Sequence, residues 1–205
     1  MTQSSVFIID DDPAMRDSLL MLLRGEGIRA RGFASAIQFL DAVPEEKTAC
    51  VITDLRMPQM EGTELIRQLT ALRGPGWPVI VITGHADVPL AVQLMKAGVV
   101  DFIEKPFDPN RILEAVRGCL STLERQGAES EAREEAASRL ATLTPRERQV
   151  FDALIDGKSN KEIALMLDIS PRTVEIFRAK VMQKMQAQSL SMLGSVDKVD
   201  SQITR

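Results

Sequence analysis

The chain has 205 residues and a formal net charge of −4; 44% of its residues are hydrophobic and 26% are charged. That balance belongs to ordinary globular proteins and excludes collagen-like and disordered chains, and the length suits one large domain or two small ones. With only one histidine, His85, no metal cluster or catalytic triad built on histidine is available.

Charge is unevenly divided along the chain. Residues 1–125 carry 13 Lys/Arg against 17 Asp/Glu, residues 126–141 carry 2 against 4, and residues 142–205 carry 10 against 8. The basic surplus lies at the C-terminal end. Cys50 and Cys119 each sit within an apolar run and are expected to be buried thiols rather than a disulfide or metal pair. Residues 1–5 carry no basic group, and the apolar run that follows is broken by Asp10, Asp11 and Asp12, so no secretion signal is expected. No stretch reads as a membrane span, and the expected compartment is the cytoplasm.

In chain order, short apolar runs alternate with amphipathic stretches. Strands are expected over 6–9, 28–33, 49–53, 79–83 and 101–104, and helices near 13–24, 35–41, 61–72, 88–97 and 109–123. Leu19, Leu20, Leu22 and Leu23 give the first helix its buried stripe. The unbroken Val79, Ile80, Val81 and Ile82 suit a central strand covered on both faces. Strict alternation of this kind predicts a parallel sheet wrapped in helices, with its ligand site at the carboxyl ends of the strands.

From Gln126 to Arg139 the chain turns to Ala, Glu, Ser and Arg, helical by propensity but without an evident face to bury, and it reads as a linker. A second unit follows. Thr144 can cap a helix that has Pro145 in its first turn, Glu147 completes a capping box, and the helix ends at Gly157. Ser159 and Glu162 repeat the signature for a helix over 160–167, and Ser170 with Pro171 opens a third over about 171–185. Only Asp168, Ile169 and Ser170 separate the last two, a turn too tight for an ordinary antiparallel hairpin and suited to a helix-turn-helix.

The strand ends carry the chemistry. Asp10 and Asp11 end the first strand and Asp54 the third, which brings carboxyl groups to one patch at the rim of the sheet. Like charges that close call for a hard, oxygen-ligated cation such as Mg2+. Thr83 ends the fourth strand and Lys105 the fifth, adding a hydroxyl and an ammonium. Such a set can receive a phosphoryl group, with the cation and Lys105 neutralising its oxygens, Thr83 donating a hydrogen bond and Asp54 attacking to form an acyl phosphate. A lone Asp after a strand is ordinarily a cap or turn former. It is the conjunction at neighbouring strand ends that argues for a site.

The runs Ile9, Asp10, Asp11, Asp12; Asp54, Leu55, Arg56, Met57, Pro58 with Gly62; Thr83, Gly84, His85; and Lys105, Pro106, Phe107 resemble the receiver domains of two-component response regulators. The resemblance implies a flavodoxin-like (βα)5 receiver in an α/β class, with Asp54 accepting a phosphoryl group from a sensor histidine kinase. It also implies Mg2+ held by Asp11, Asp54 and the backbone carbonyl of Arg56 with help from Asp10, Phe102 as an aromatic switch, and a cis Lys105–Pro106 peptide.

At the other end, the third helix of the second unit carries Val174, Phe177, Val181 and Met185 as one apolar stripe. Its opposite face presents Arg172, Glu175, Ile176, Ala179 and Gln183, with Arg178 and Lys180 on the flanks and Lys184 near the end. Small and mixed groups edged by cations fit the major groove of double-stranded DNA. Leu143 to Val150, Asn160 to Ala164 and Ile169 to Glu175 resemble the all-α helix-turn-helix domain shared by LuxR-type and NarL-type regulators, and nearly the whole chain resembles FixJ-type regulators. That resemblance implies phosphate contacts from Lys161, Ser170, Thr173 and the flanking cations, and base contacts from Glu175, Ile176 and Ala179. It further implies a homodimer formed on phosphorylation through the face of the fourth helix and fifth strand, and adds RNA polymerase as a partner to consider. The chain departs from the family at Phe177, where histidine is common, at Lys180, where asparagine is common, and after Gly194, where an apolar fourth helix usually runs.

Two rival readings use the same residues. A phosphohydrolase with an aspartate nucleophile needs Asp-x-Asp at the first strand, which Asp10 and Asp12 provide, and a later acidic pair, which Asp108 does not. An adaptor whose helical end binds only protein is the other.

Overall fold

The structure is a computed structural model that describes residues 4–42, 46, 48–84, 88–187, 189 and 193. Its contacts divide the chain into two compact units, Met1–Gln126 and Gly127–Arg205. No described helix is long and apolar enough to cross a membrane.

In the first unit β1 (Ser5–Ile9), β2 (Ala30–Phe33), β3 (Ala49–Asp54), β4 (Val79–Thr83) and β5 (Val99–Glu104) form one parallel sheet in the order β2-β1-β3-β4-β5. They alternate with α1 (Pro13–Gly25), α2 (Ala36–Asp41), α3 (Gly62–Arg73), α4 (Val88–Lys96) and α5 (Pro109–Ala141). Parallel strands need helical crossovers, and the helices cover both faces of the sheet. The alternation of side chains along each strand divides the core accordingly. Phe7, Ile9, Val51, Val79 and Val81 belong to one apolar cluster, and Val6, Ile8, Cys50, Ile52, Ile80 and Ile82 to the other.

On the first of these faces Phe7, Phe33, Phe39 and Trp77 form an aromatic group, with the Phe7 and Trp77 rings stacked at 5.4 Å and Phe33 edge-on to Phe39 at 5.1 Å. Cys50 and Cys119 are free and buried on the second face, where the Cys119 thiol and burial push the Cys50 thiol well above its ordinary value.

Two edges differ from the sequence reading in small ways: β2 begins at Ala30 rather than near 28, and β5 begins at Val99. A larger difference is α5, which does not stop near 123 but continues as one helix to Ala141, taking in the stretch read as a linker. Ala136 and Leu140 explain it: both are buried, and Leu140 joins the core of the second unit. Two apolar residues a turn apart are enough to dock a helix whose composition is otherwise polar.

Gly62 holds the loop after β3 close to the strand it leaves. Its amide donates to the Leu55 carbonyl at 2.8 Å. A Cβ at this position would stand 2.2 Å from the Asp54 backbone oxygen and 2.8 Å from the Leu55 Cα, where no side chain fits. Gly62→Ala is therefore expected to lower the stability of the first unit by about 2 kcal/mol, the usual cost of overpacking. A chemical denaturation midpoint within error of the unsubstituted protein would contradict this.

Candidate functional site

The acidic site is built by register. Ile9 of β1 lies opposite Thr53 of β3, so the next residue on each strand, Asp10 and Asp54, leaves the sheet at the same rim. Because β1 is flanked by β2 on one side and β3 on the other, chain order reverses here and opens a crevice at the carboxyl ends. One oxygen from each of Asp10, Asp11 and Asp54 lies within 4.8 Å of the others. Asp10 is buried, Asp54 half-buried and Asp11 exposed.

Lys105 arrives from the far side of the crevice. Its amide donates to the Thr83 carbonyl at 2.8 Å, and the peptide to Pro106 is cis. The Lys105 ammonium donates to Asp10 Oδ2 at 2.9 Å and to Asp54 Oδ2 at 2.6 Å. The other oxygens are held by backbone, Asp10 Oδ1 accepting from the Asp12 amide at 2.9 Å and Asp54 Oδ1 from the Arg56 amide at 3.2 Å. Arg16 Nη1 donates to the Asp10 carbonyl at 2.7 Å, a link the sequence did not suggest. The Asp12 carboxylate stands apart from this group, accepting from the Ala14 amide and capping α1.

Burial raises the Asp10 carboxyl above its ordinary range, against the lowering by Lys105 and the Asp12 amide. For Lys105, burial works downward, but the hydrogen bonds to Asp54 and Asp10 outweigh it and the ammonium is held more firmly than usual. With three carboxylates facing one ammonium, the ionised site keeps a formal charge of −2. A small divalent cation with oxygen ligands meets that charge and that donor set, so Asp10, Asp11 and Asp54 fit Mg2+. Thr83 is buried at the end of β4, and Phe102 of β5, opposite Val81, is half-buried against the aromatic face of the core. His85 lies outside the described residues.

In the second unit α6 (Pro145–Ile155), α7 (Asn160–Leu167) and α8 (Pro171–Lys184) pack on one core. Both expected capping boxes are present, Thr144 with Glu147 and Ser159 with Glu162. Between α7 and α8, Asp168 takes the left-handed conformation with φ of 52°, and Ser170 caps α8 by accepting from the Thr173 amide at 3.1 Å. Val174, Val181 and Met185 are buried and Phe177 half-buried, so α8 turns the expected stripe inward. Arg172, Glu175, Ile176, Ala179, Lys180 and Gln183 are exposed, as is Lys161 on α7. Ile176 is 54% exposed on this face. Thr173 is half-buried beside Ser170, their hydroxyls 2.8 Å apart, and half-buried Arg178 donates to Asn160 Oδ1 at 3.3 Å.

Lys184 has partners that the sequence did not suggest: its ammonium donates to Glu147 Oε2 at 2.6 Å and to the Thr142 carbonyl at 2.8 Å. Glu147, read from sequence only as half of a capping box, is 4% exposed and holds both the Thr144 amide and this lysine. Nothing in local periodicity marks a pair 37 residues apart. Leu193 is buried in the same core; residues 194–205, including the departure after Gly194, lie outside the described residues.

Comparison with known proteins meets both halves of this arrangement. The family described as response regulator receiver domain matches residues 6–117, and that described as bacterial regulatory proteins, luxR family, matches residues 141–195. The transcriptional regulatory protein FixJ of Bradyrhizobium diazoefficiens is 47% identical over 94% of this chain and 93% of its own length, and FixJ of Rhizobium meliloti is 48% identical over 94% of each. Among solved structures, the response regulator StyR aligns with a TM-score of 0.83 at 36% identity, over 96% of this chain and 99% of that one. Full-length FixJ from B. japonicum aligns at 0.60 and 45% identity, over 98% and 99%. The chain belongs to the FixJ-type response regulators, which join a receiver domain to a LuxR-type DNA-binding domain.

The Lys184 ammonium, with the Thr144 amide, holds the Glu147 carboxyl down at about 2, against an ordinary 4.5. A depressed carboxyl stabilises the fold fully above its unfolded value and loses that contribution as pH falls through the folded one. Thermal unfolding of the second unit is therefore expected to lose stability between pH 4.5 and about 2. Glu147→Gln should flatten that acid limb, and an unchanged slope would refute the assignment.

Proposed function

We propose that this protein is a phosphorylation-dependent transcription regulator in which Asp54 is the phosphoacceptor. The observation that carries the reading is the convergence of Asp10, Asp11, Asp54 and Lys105 on one crevice at the sheet rim. A sensor histidine kinase would be the donor. An Asp54 oxygen attacks the phosphorus of a phosphohistidine as the phosphorus–nitrogen bond breaks, leaving an acyl phosphate on this chain. Asp10, Asp11, Asp54 and the Arg56 carbonyl would hold Mg2+, which neutralises charge on the transferring group. Lys105 pairs with one phosphoryl oxygen in place of Asp54, and Thr83 donates to another. Self-catalysed phosphorylation and dephosphorylation at this site is the only chemistry proposed, so the chain acts as a regulator rather than as an enzyme with turnover on a separate substrate.

The receiver role is assigned to residues 1–125, the joining role to 126–141 and the DNA-binding role to 142–205, a division supported by the break in contacts after Gln126. Phosphorylation adds nearly two negative charges beside Thr83, and half-buried Phe102 passes the change to the outer face of the sheet. Val92 and Met95 of α4 and Val100 of β5 are about half exposed, an apolar face suited to pairing of two receivers. Two recognition helices then meet half-sites about one DNA turn apart. Lys161, Ser170, Arg172, Thr173, Arg178 and Lys180 face phosphates in this reading, and Glu175, Ile176, Ala179 and Gln183 face base edges. The protein works in the cytoplasm, where the DNA is, with RNA polymerase as a further partner.

Acetyl phosphate with Mg2+ is expected to add one phosphoryl group to the chain by mass spectrometry, and none to Asp54→Ala. Phosphorylation should tighten binding to a selected DNA duplex in the unsubstituted chain alone. Equal affinity of Asp54→Ala and phosphorylated protein at one salt concentration would overturn the coupling, since salt alone moves such affinities by orders of magnitude. Arg172→Ala, removing an exposed cation from the first turn of α8, should lower the slope of log affinity against log salt by about 0.9.

A further inference from the structure

From the contacts at the C-terminal end of α8 we infer that Lys184 and Glu147 are a positioning pair that fixes the recognition helix to the end of α5, and that Lys184 does not contact DNA phosphate. This rests on the DNA-binding reading of α8 and deepens it.

An ammonium that meets phosphate must face solvent and keep its donors available. Lys184 has two of its three donors committed inside its own unit: its side chain is 34% exposed against 6% for Glu147, and its ammonium is shared between Glu147 Oε2 and the Thr142 carbonyl. Thr142 follows directly on α5, so the lysine joins the last turn of α8 to the end of that helix. A second link lies beside it, with Arg139 Nη2 donating to Gln186 Oε1 at 3.0 Å. Leu140 and Met185, next in sequence to Arg139 and Lys184, are buried in the same core. Glu147 completes the node from α6 through its hold on the Thr144 amide at 2.8 Å. Three chain segments, the end of α5, α6 and α8, thus meet at one ammonium.

The consequence is geometric. Base-edge contacts tolerate little displacement, because each bidentate or apolar contact requires the helix axis to lie at one depth and angle in the groove. Phosphate contacts are more forgiving, being long-ranged and sequence-independent. Releasing the end of α8 from α5 should therefore lower discrimination between sequences more than it lowers general affinity.

The test uses the full chain, phosphorylated with acetyl phosphate, at a temperature where circular dichroism shows every variant folded. Affinity is measured across a salt series for a duplex selected by the unsubstituted chain from a random pool, and for an unrelated duplex of equal length. Lys184→Met is expected to weaken the selected duplex about tenfold, as loss of a partner to a buried charged group does, while the unrelated duplex and both salt slopes stay as they are. Glu147→Gln should reproduce the loss, and the double variant should add nothing further. A fall of about one in salt slope with equal weakening on both duplexes would mark Lys184 as a phosphate contact and overturn the inference. Unchanged affinity for the selected duplex would overturn it too. Failure of the unsubstituted chain to bind either duplex would instead remove the DNA-binding reading itself, and this inference with it.

Discussion

Asp10, Asp11 and Asp54 repel one another within 4.8 Å, and a register that takes Asp10 and Asp54 off neighbouring parallel strands gives those two no room to separate. Lys105 offsets part of the repulsion and no more. The crevice thus keeps a net negative charge, which suits it to a small cation with oxygen ligands. Much of the surrounding structure serves to keep it so. The Asp12 and Arg56 amides fix one oxygen of each inner carboxylate, and Gly62 lets the loop after β3 close against the Asp54 backbone.

The two units position their working groups by different means. In the receiver, the strands set the rim and the side chains that matter stand where regular structure ends, a placement fixed by hydrogen-bond register over the whole sheet. In the helical unit no sheet exists among the described residues to impose register, and the caps take over: Thr144, Ser159 and Ser170 each fix where a helix begins, while the left-handed Asp168 sets the angle between α7 and α8. Side chains on α8 are then displayed by rotation about one axis, with Val174 and Val181 determining which face turns outward.

Most of this was legible because it is local. Period-two and helical apolar patterns revealed the alternation of strands and helices, and the capping signatures located the starts of α6, α7 and α8 to within a residue. The convergence of Asp10, Asp54 and Lys105 was legible too, since parallel topology puts strand ends at one rim whatever the sequence distance between them. What escaped depends on contacts that leave no periodic trace. The run from Gln126 to Arg139 looked like a helix with nothing to bury, because the burial rests on Ala136 and Leu140 alone. Lys184 looked like one more cation on α8, and its ties to Glu147 and Thr142 left no trace in the local pattern. The starting residues of β2 and β5 were misjudged by two, as happens where an edge strand is partly exposed and apolarity no longer marks the boundary.

The stacking of Trp77 on Phe7 has a practical side. The chain has one tryptophan and no tyrosine, so all of its long-wavelength near-ultraviolet emission originates at that buried indole, 3% exposed, beneath the Arg73 guanidinium. The LuxR-type half, whose ring side chains are phenylalanines only, is optically dark at those wavelengths. Fluorescence therefore watches the receiver core and nothing else, and a chain with only its helical half melted would still glow as though native.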